Sequence, residues 1–348
     1  MFKLYIFIFI QHFIAKIFKK LKTITKFKIT IVFMICCLVL AYNEEKYLNT
    51  LLDSIEHIFD EIVVINDFSS DNTLNILNNS KLSNLTILNN EKNLGAGKSL
   101  EIGLQYFLTT DHEYLIKVDG DGQFKIDDIN KMISMTKNKV DFIKCDRFWK
   151  NGIEGEIPLV RYIGNSLASL LIKISTGNWK INDPLNGLFL FSKRSIDNFN
   201  LPKIFKRYGY PFYVNVFMNK KIYSEDIKIF QLKNTVKYRD EESKLRPSIM
   251  FLKLIYFTIK SFVKKIVYKF KYSNLQISAL LDVITLAFLA SSIYSGVNLI
   301  LITLQFIERP KASWLFLTII MFLLSTFSFY YSQAYERKVY ENYFINYE

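Results

Sequence analysis

The chain has 348 residues, which is more than one ordinary domain and fewer than three at roughly 150 residues per domain. Half of its residues are hydrophobic although 22% are charged, and the mean hydropathy is +0.14, so the apolar residues must be concentrated in blocks. This composition excludes a disordered chain, a collagen and a disulfide scaffold, and three cysteines with three histidines leave little material for a zinc site.

The charge of the chain is basic, because 45 Lys and Arg residues outnumber 32 Asp and Glu residues, for a net charge of +13. Seven lysines precede the first acidic residue, Glu44, and six more lie within residues 253–271, just ahead of a long apolar block. Basic residues beside hydrophobic runs are typical of the cytoplasmic face of a membrane protein. No nucleic-acid partner is expected, because the domain between the two clusters is not strongly basic.

The first 28 residues predict a basic helix that lies on a membrane surface. Residues 4–15 are apolar except for Gln11 and His12, and this run is too short to span a bilayer. The segment has no small-residue cleavage motif, which argues against a cleaved signal peptide. The alternative is that Met34 is the true start and that residues 1–33 are dispensable.

Residues 34–233 alternate short apolar runs with amphipathic helical patterns. The predicted strands are residues 35–41, 62–65, 85–88 and 114–118, and the predicted helices are residues 44–57 and 96–107. This alternation favours an α/β fold with a mainly parallel sheet and helices on both faces.

Residues 250–272 predict an interfacial helix. Lys253, Lys260 and Lys264 recur at intervals of seven and four among apolar residues and therefore share one helical face. Such a helix lies on the bilayer surface. The positive-inside bias then places residues before 275 and the tail after 335 in the cytoplasm.

Two runs without charged residues, 283–307 and 312–335, follow that helix. Each is long enough to cross a hydrocarbon core of ~30 Å as a helix that rises ~1.5 Å per residue. Only residues 308–311 separate them, so the pattern predicts a transmembrane helical hairpin. Two buried core helices are the less favoured alternative.

Polar residues stand at the ends of three predicted strands, where open α/β sheets bind their ligands. They are Asn43-Glu44, Asn66-Asp67 and Asp119-Gly120-Asp121. Each of them could instead cap the following helix, and for Asp71 the cap is the favoured interpretation.

The most specific local pattern is residues 119–123, with the sequence Asp-Gly-Asp-Gly-Gln, which we call the acidic loop. Two carboxylates one residue apart on a glycine-rich loop can share a hard divalent cation with a diphosphate. The cation would stabilise the charge that develops on a departing nucleoside diphosphate. An EF-hand is excluded, because its sixth position would be Phe124 and its twelfth Asn130.

Four motifs in this order resemble those of family 2 glycosyltransferases. They are Leu-Val-Leu-Ala-Tyr-Asn-Glu-Glu at 38–45, Asn-Asp-Phe-Ser-Ser-Asp at 66–71, Asn-Leu-Gly-Ala-Gly at 93–97, and the acidic loop. Within the family, the chain resembles the branch of dolichyl-phosphate mannose synthase and bacterial polyprenyl-phosphate glycosyltransferases. The matches to this branch continue at Arg147, Arg161, Asp183-Pro184, Asn186-Gly187, Arg239 and residues 242–245.

The chain departs from the family pattern at three positions. Leu40 stands where the family commonly has Pro, Asn66 replaces the first of two acids, and Phe68 replaces Gly. These departures weaken any inference about which nucleotide base is bound, but they do not change the acidic loop.

The resemblance implies a GT-A fold, a divalent metal (Mg²⁺ or Mn²⁺) and a set of site residues. It assigns the nucleotide-sugar pocket to Tyr42, Glu44, Asp67, Gly95 and Asp119. It assigns the metal to Asp119, Asp121 and Gln123, and the acceptor phosphate to Arg147, Arg161, Arg239 and Lys244. Asp121, Arg147 and Arg239 would be the catalytic residues. The expected domains are an N-terminal segment (1–33), a GT-A catalytic domain (34–249), juxtamembrane amphipathic helices (250–274), two transmembrane helices (275–335) and a cytoplasmic tail (336–348).

The expected activity is metal-dependent, inverting transfer of a sugar from a UDP- or GDP-linked donor to polyprenyl phosphate at the cytoplasmic membrane face. A phosphomonoester has a second pKa near ~6, so it is an anionic nucleophile at neutral pH and needs no general base. A hydroxyl acceptor on a glycan or glycolipid needs a base, for which Asp183 is the candidate. A catalytically inactive membrane scaffold is a third alternative. The sequence leaves the oligomeric state open, with a homo-oligomer as one alternative.

Overall fold

A computed structural model describes residues 34–341 except for residues 150–151, 156, 158, 226 and 238–246. The predicted N-terminal helix within residues 1–33 lies outside the described residues, and so do Arg239 and Lys244. Of Arg161 only the backbone is described.

One seven-stranded sheet forms the centre of the described chain. Its strands are β1 (Ile35–Ala41), β2 (Glu61–Asn66), β3 (Leu85–Asn89), β4 (Tyr114–Asp119), β5 (Phe142–Asp146), β7 (Phe189–Ser192) and β8 (Ile229–Lys233). They are ordered β3-β2-β1-β4-β7-β5-β8. Strand β7 pairs antiparallel with β4 and β5, and the other pairs are parallel. Two short strands, β6 (Ile153–Glu154) and β9 (Val236–Lys237), pair separately.

Six helices accompany the strands. They are α1 (Leu48–Ile55), α2 (Thr73–Asn78), α3 (Ala96–Thr109), α4 (Ile126–Met135), α5 (Leu159–Thr176) and α6 (Tyr210–Glu225). Helix α1 forms because Leu48, Leu51, Leu52 and Ile55 fall on one face, and all four are buried. Strand β1 is buried along its whole length, as expected of a parallel strand with both faces covered. The mainly parallel sheet that the sequence predicted is confirmed.

Three helices follow the sheet domain, namely α7 (Pro247–Phe270), α8 (Gln276–Thr303) and α9 (Lys311–Glu341). Helices α8 and α9 are antiparallel neighbours, since Ser328 Oγ donates to the Leu281 carbonyl at 2.8 Å and Ser292 Oγ to the Thr318 carbonyl at 3.1 Å. Hydroxyl groups that donate across closely packed helices are a usual contact in membrane hairpins. By length and composition, Gln276–Thr303 and Lys311–Val339 can each cross a membrane.

The first of these helices begins seven residues before the predicted span, because Asp282 lies inside it. Its carboxylate is fully buried and contacts Lys269 Nζ at 2.5 Å, so the charge is compensated within the protein. The uncharged run therefore begins inside the helix, whereas the predicted transmembrane region of residues 275–335 includes the whole helix.

A buried charge cluster joins α7 to the two long helices. It contains Lys265, Lys269, Asp282 and Glu336, whose side chains are at most 4% exposed. Lys269 Nζ lies 2.5 Å from Glu336 Oε1, and Lys265 Nζ lies 3.2 Å from Glu336 Oε2. Two of the six lysines that the sequence assigned to the membrane surface are thus internal, whereas Lys253, Lys260 and Lys264 are exposed.

The charge cluster also contacts the sheet domain. Gly177, directly after α5, has a φ of +75°, and a Cβ at this position would collide with the Glu336 carboxylate. Nearby, Trp179 Nε1 donates to Gln333 Oε1 at 2.9 Å. These contacts fix the end of α5 against the long helices.

Replacing Glu336 with Gln should destabilise the protein strongly. The substitution keeps the shape of the side chain but leaves the ammonium groups of Lys265 and Lys269 with one carboxylate between them. Removing one partner of a buried ion pair costs about 3–5 kcal/mol. We expect a clearly lower midpoint of thermal unfolding in detergent.

Glu341→Gln is the matched control on the same helix, because the Glu341 side chain is half exposed and lies 3.7 Å from Arg337. An exposed pair contributes about 0–1 kcal/mol. Equal midpoints for the two variants would contradict a stabilising role of the charge cluster.

Candidate active site

The parallel register of β1, β2 and β4 brings the predicted site residues to one edge of the sheet. Ala41 pairs with Asn66, and Leu40 pairs with Asp119. The chain leaves all three strands at this edge, so the segments that begin at Tyr42, Asp67 and Gly120 lie side by side. This is the edge where open α/β sheets bind ligands.

Hydrogen bonds tie the loops after β1 and β2 together. The Asn43 amide donates to Ser69 Oγ at 3.0 Å, and the Ser70 amide donates to Asn43 Oδ1 at 2.8 Å. The side chains of Tyr42 and Phe68 are 40% and 57% exposed, so two aromatic rings stand open at neighbouring strand ends. Phe68 has a φ of +60°, a conformation that favours glycine, which explains why glycine is the common residue here in the resembling family.

Asp67 is buried and holds the loop that precedes α3. Its Oδ1 accepts from Asn90 Nδ2 at 2.7 Å and from the Leu94 amide at 2.8 Å, and its Oδ2 accepts from the Gly95 amide at 2.7 Å. Gly95 has a φ of +92°, and a Cβ there would lie 2.6 Å from the Arg207 Cα. Asp67 therefore shapes this edge of the sheet through the loop, and a direct contact with the nucleotide stays a prediction.

The first carboxylate of the acidic loop is held from behind by a lysine. Lys117 Nζ lies 2.5 Å from Asp119 Oδ1 and 2.6 Å from the Tyr210 hydroxyl. Burial lowers the pKa of Lys117, but the attraction of Asp119 outweighs it and raises this pKa to about 12. Burial, together with the Asp119 charge, raises the pKa of Tyr210 to about 12. Lys117 is therefore an ammonium and Tyr210 a neutral phenol at neutral pH.

The rest of the acidic loop is half-buried and compact. The Gln123 amide donates to Asp121 Oδ1 at 3.1 Å, and Gly122 between them has a φ of +62°. A Cβ on Gly120 would come within 3.0 Å of the Leu40 carbonyl, so this glycine lets the loop pack against β1.

The acidic loop has the donor set that a hard cation requires, namely carboxylate oxygens and an amide oxygen. Over the described residues, no three His, Cys, Asp or Glu side chains form a group that could hold a metal ion. Mg²⁺ typically binds one or two carboxylates, several waters and the phosphates of a substrate. The residues present fit that kind of site, in which a bound diphosphate would supply the remaining ligands.

Arg147 and Asp183 form a paired unit after β5. Arg147 Nε lies 3.0 Å from Asp183 Oδ2, and Arg147 Nη2 donates to Asp183 Oδ1 at 3.2 Å. The Asp183 side chain is fully buried, and Asn186 Nδ2 donates to it at 3.1 Å. Asp183 thus fixes the plane of the guanidinium, and its burial and pairing weigh against a role as a general base.

The structure adds α5 to the apolar surface that the sequence predicted for residues 250–272. Helix α5 packs beside α7, and both expose apolar side chains. On α5 these are Leu159, Val160, Ile163, Leu167 and Leu170, and on α7 they are Leu252, Tyr256, Ile259, Val263 and Val267. The spacing of three and four residues on α5 was visible in the sequence, but it is equally typical of a helix that packs on a core.

A mainly parallel sheet with an acidic loop at its carboxyl edge is a GT-A-like arrangement. Residues 36–199 match the family model for Glycosyl transferase family 2. This part of the chain is therefore a glycosyl transferase family 2 domain, which confirms the resemblance inferred from the four motifs.

Three relatives share this domain. An uncharacterized protein of Methanocaldococcus jannaschii is 34% identical over 141 residues, which cover 39% of this chain and 59% of that protein. The UDP-N-acetylglucosamine–dolichyl-phosphate N-acetylglucosaminyltransferase of Methanococcus voltae is 28% identical over 180 residues, 47% of this chain and 71% of that enzyme. A dolichyl-phosphate beta-glucosyltransferase of Trichomonas vaginalis is 30% identical over 175 residues, 44% of this chain and 50% of that enzyme.

The chain thus spans 50% to 71% of the length of these relatives. Among solved structures, the 4-diphosphocytidyl-2C-methyl-D-erythritol synthase of Anaerococcus prevotii overlaps 65% of this chain and 96% of its own, at 14% identity. The TM-score of 0.37 is too low to inform the fold or the function.

Replacing Asp67 with Asn should loosen the loop before α3. The amide offers one acceptor oxygen, and its NH₂ group would face a backbone donor at Leu94 or Gly95. Leaving a buried donor unsatisfied costs about 1–3 kcal/mol. We expect faster hydrogen exchange of the Leu94 and Gly95 amides.

Asp53→Asn, on the exposed side of α1, is the control and should leave this exchange unchanged. Wild-type exchange rates at Leu94 and Gly95 in the Asp67→Asn protein would show that the carboxylate does not hold the loop.

Proposed function

We propose that this protein is a membrane-anchored, metal-dependent, inverting glycosyltransferase that transfers a sugar from a nucleotide-diphosphate donor to polyprenyl phosphate. The observation that carries the proposal is the acidic loop of a glycosyl transferase family 2 domain that is joined to two helices able to cross a membrane. Two of the relatives are named as transferases that act on dolichyl phosphate, an acceptor of this chemical class.

The donor would bind at the carboxyl edge of β1, β2 and β4. The exposed ring of Tyr42 offers a stacking surface for a base, and Glu44 lies beside it. Asp119, Asp121 and Gln123 would hold Mg²⁺ or Mn²⁺, which when bound supplies positive charge to the leaving diphosphate. The Asp67–Gly95 contact would keep the neighbouring loop in place for the donor.

The acceptor would bind on the side of Arg147. A guanidinium matches the geometry of phosphate oxygens, and the buried Asp183 fixes its plane. Arg161, Arg239 and Lys244 complete the proposed set of cations that offset the repulsion between an anionic acceptor and an anionic donor. A phosphate nucleophile needs no deprotonation at neutral pH, so the site would need these cations and no general base.

The apolar surface on α5 and α7 would place this site at the lipid headgroups. Exposed apolar side chains next to the exposed Lys253, Lys260 and Lys264 fit the interface of an anionic leaflet. With α8 and α9 across the bilayer, the catalytic domain would face the cytoplasm, where basic flanking residues are retained.

The test of the acceptor class is transfer by the purified protein from a panel of UDP- and GDP-sugars. We expect a product with short-chain polyprenyl phosphate and none with polyprenol or free sugars as acceptors. Transfer to a sugar hydroxyl, with no transfer to the lipid phosphate, would refute the proposed acceptor.

Asp121→Ala should abolish transfer and reduce Mn²⁺ binding while the protein stays folded by circular dichroism. The reason is that this substitution removes one of two carboxylates available for the cation in the acidic loop. Asp127→Ala is the control, because this exposed carboxylate lies outside the loop on the first turn of α4. Full activity of the Asp121→Ala protein would remove the metal role.

A further inference from the structure

The ammonium group of Lys117 is buried inside the sheet domain, a placement that lysine rarely takes unless it is paired. Lys117 lies on β4 two residues before Asp119, so both side chains extend from the same face of the strand. Its two partners are Asp119 Oδ1 at 2.5 Å and the Tyr210 hydroxyl at 2.6 Å. The lysine is therefore a fixed positive charge directly behind the acidic loop.

This contact makes the two oxygens of Asp119 unequal. Oδ1 accepts from Lys117, whereas Oδ2 lies against Gly187, where an added Cβ would come within 2.5 Å of it. The Asp119 side chain is 31% exposed, so a ligand can reach the carboxylate from outside while the lysine stays inaccessible to solvent. A carboxylate assigned to a metal by family resemblance is already in contact with an internal cation.

We infer that Lys117 acts through Asp119: its charge offsets that of the carboxylate and makes metal binding depend on a bound nucleotide diphosphate. The ammonium offsets one of the two carboxylate charges of the acidic loop, so the loop holds a divalent cation less strongly than two uncompensated carboxylates would. A diphosphate adds negative charge and oxygen ligands, so the cation binds tightly only together with it. The inference rests on the proposed function, because it takes the acidic loop as the metal site.

The size of the effect follows from Coulomb's law. A unit charge a few ångströms from a divalent cation changes its affinity roughly tenfold even where water screens the interaction fully, and more where it does not. A packing defect alone would not tighten Mn²⁺ binding, whereas removal of the positive charge would.

The test measures Mn²⁺ binding to the whole chain in detergent, with and without UDP or GDP. The concentration of free Mn²⁺ is read by electron paramagnetic resonance. Lys117→Met retains most of the length of the side chain and removes the charge, and we expect its Mn²⁺ Kd without nucleotide to fall about tenfold. Lys117→Arg and Tyr210→Phe retain the charge, and their Kd should stay within about twofold of wild type.

Unchanged or weaker Mn²⁺ binding by the Lys117→Met protein overturns the inference. The proposed function is not affected by that result if the wild-type protein binds Mn²⁺ in the presence of nucleotide. If the Lys117→Met protein does not fold, the test uses the wild-type protein alone. Equal Mn²⁺ affinity of the wild type with and without nucleotide would also overturn the inference. Wild-type protein that binds no Mn²⁺ under either condition removes the proposed metal site and this inference together.

Discussion

The contact between Lys117 and Asp119 places a buried positive charge directly behind the acidic loop. An ammonium that has no access to water is stable only beside a compensating charge, so the side chain of Asp119 cannot rotate away without exposing an unpaired cation in the interior. The same contact requires Tyr210 on α6 as a second acceptor and glycine at 187, where a side chain would displace the carboxylate. Strand β4, the segment before β7 and the start of α6 are therefore held in one arrangement by a single buried charge.

Compensated buried charges also connect the sheet domain to the long helices. Lys269 and Lys265 are internal because Asp282 and Glu336 meet them, and Gly177 leaves room for the Glu336 carboxylate at the end of α5. Helix α5 carries part of the apolar surface, so the charge cluster fixes the angle between that surface and the helices that can cross a membrane. A rigid connection of this kind would keep the carboxyl edge of the sheet at a constant depth relative to the lipid headgroups.

Local pattern predicted much of the fold, since a run such as residues 35–41 or the leucine spacing of α1 depends only on neighbours in sequence. It also predicted which loops meet at the sheet edge, because parallel strands place their carboxyl ends together. It did not find the antiparallel β7, the role of Lys117 or the burial of Asp67. Each of these depends on a distant partner: Tyr210 lies 93 residues from Lys117, and the amides that Asp67 accepts from lie 27 and 28 residues away. For the same reason, the uncharged run that begins at residue 283 does not mark the start of α8, because Asp282 is compensated by Lys269 of another helix.

Two carboxylates near the candidate site, Asp183 and Asp119, have opposite relations to their cations. Asp183 is fully buried and pairs with a guanidinium that is 11% exposed, so only the arginine of this pair can reach a ligand. Asp119 is the exposed member of its pair and Lys117 the buried one, so that pair presents the carboxylate instead. The cation therefore faces outward at β5 and the carboxylate faces outward at β4. In the proposed transfer, an anionic acceptor would be attracted to the first edge and a metal-bound diphosphate to the second, which would separate two negatively charged substrates within one site.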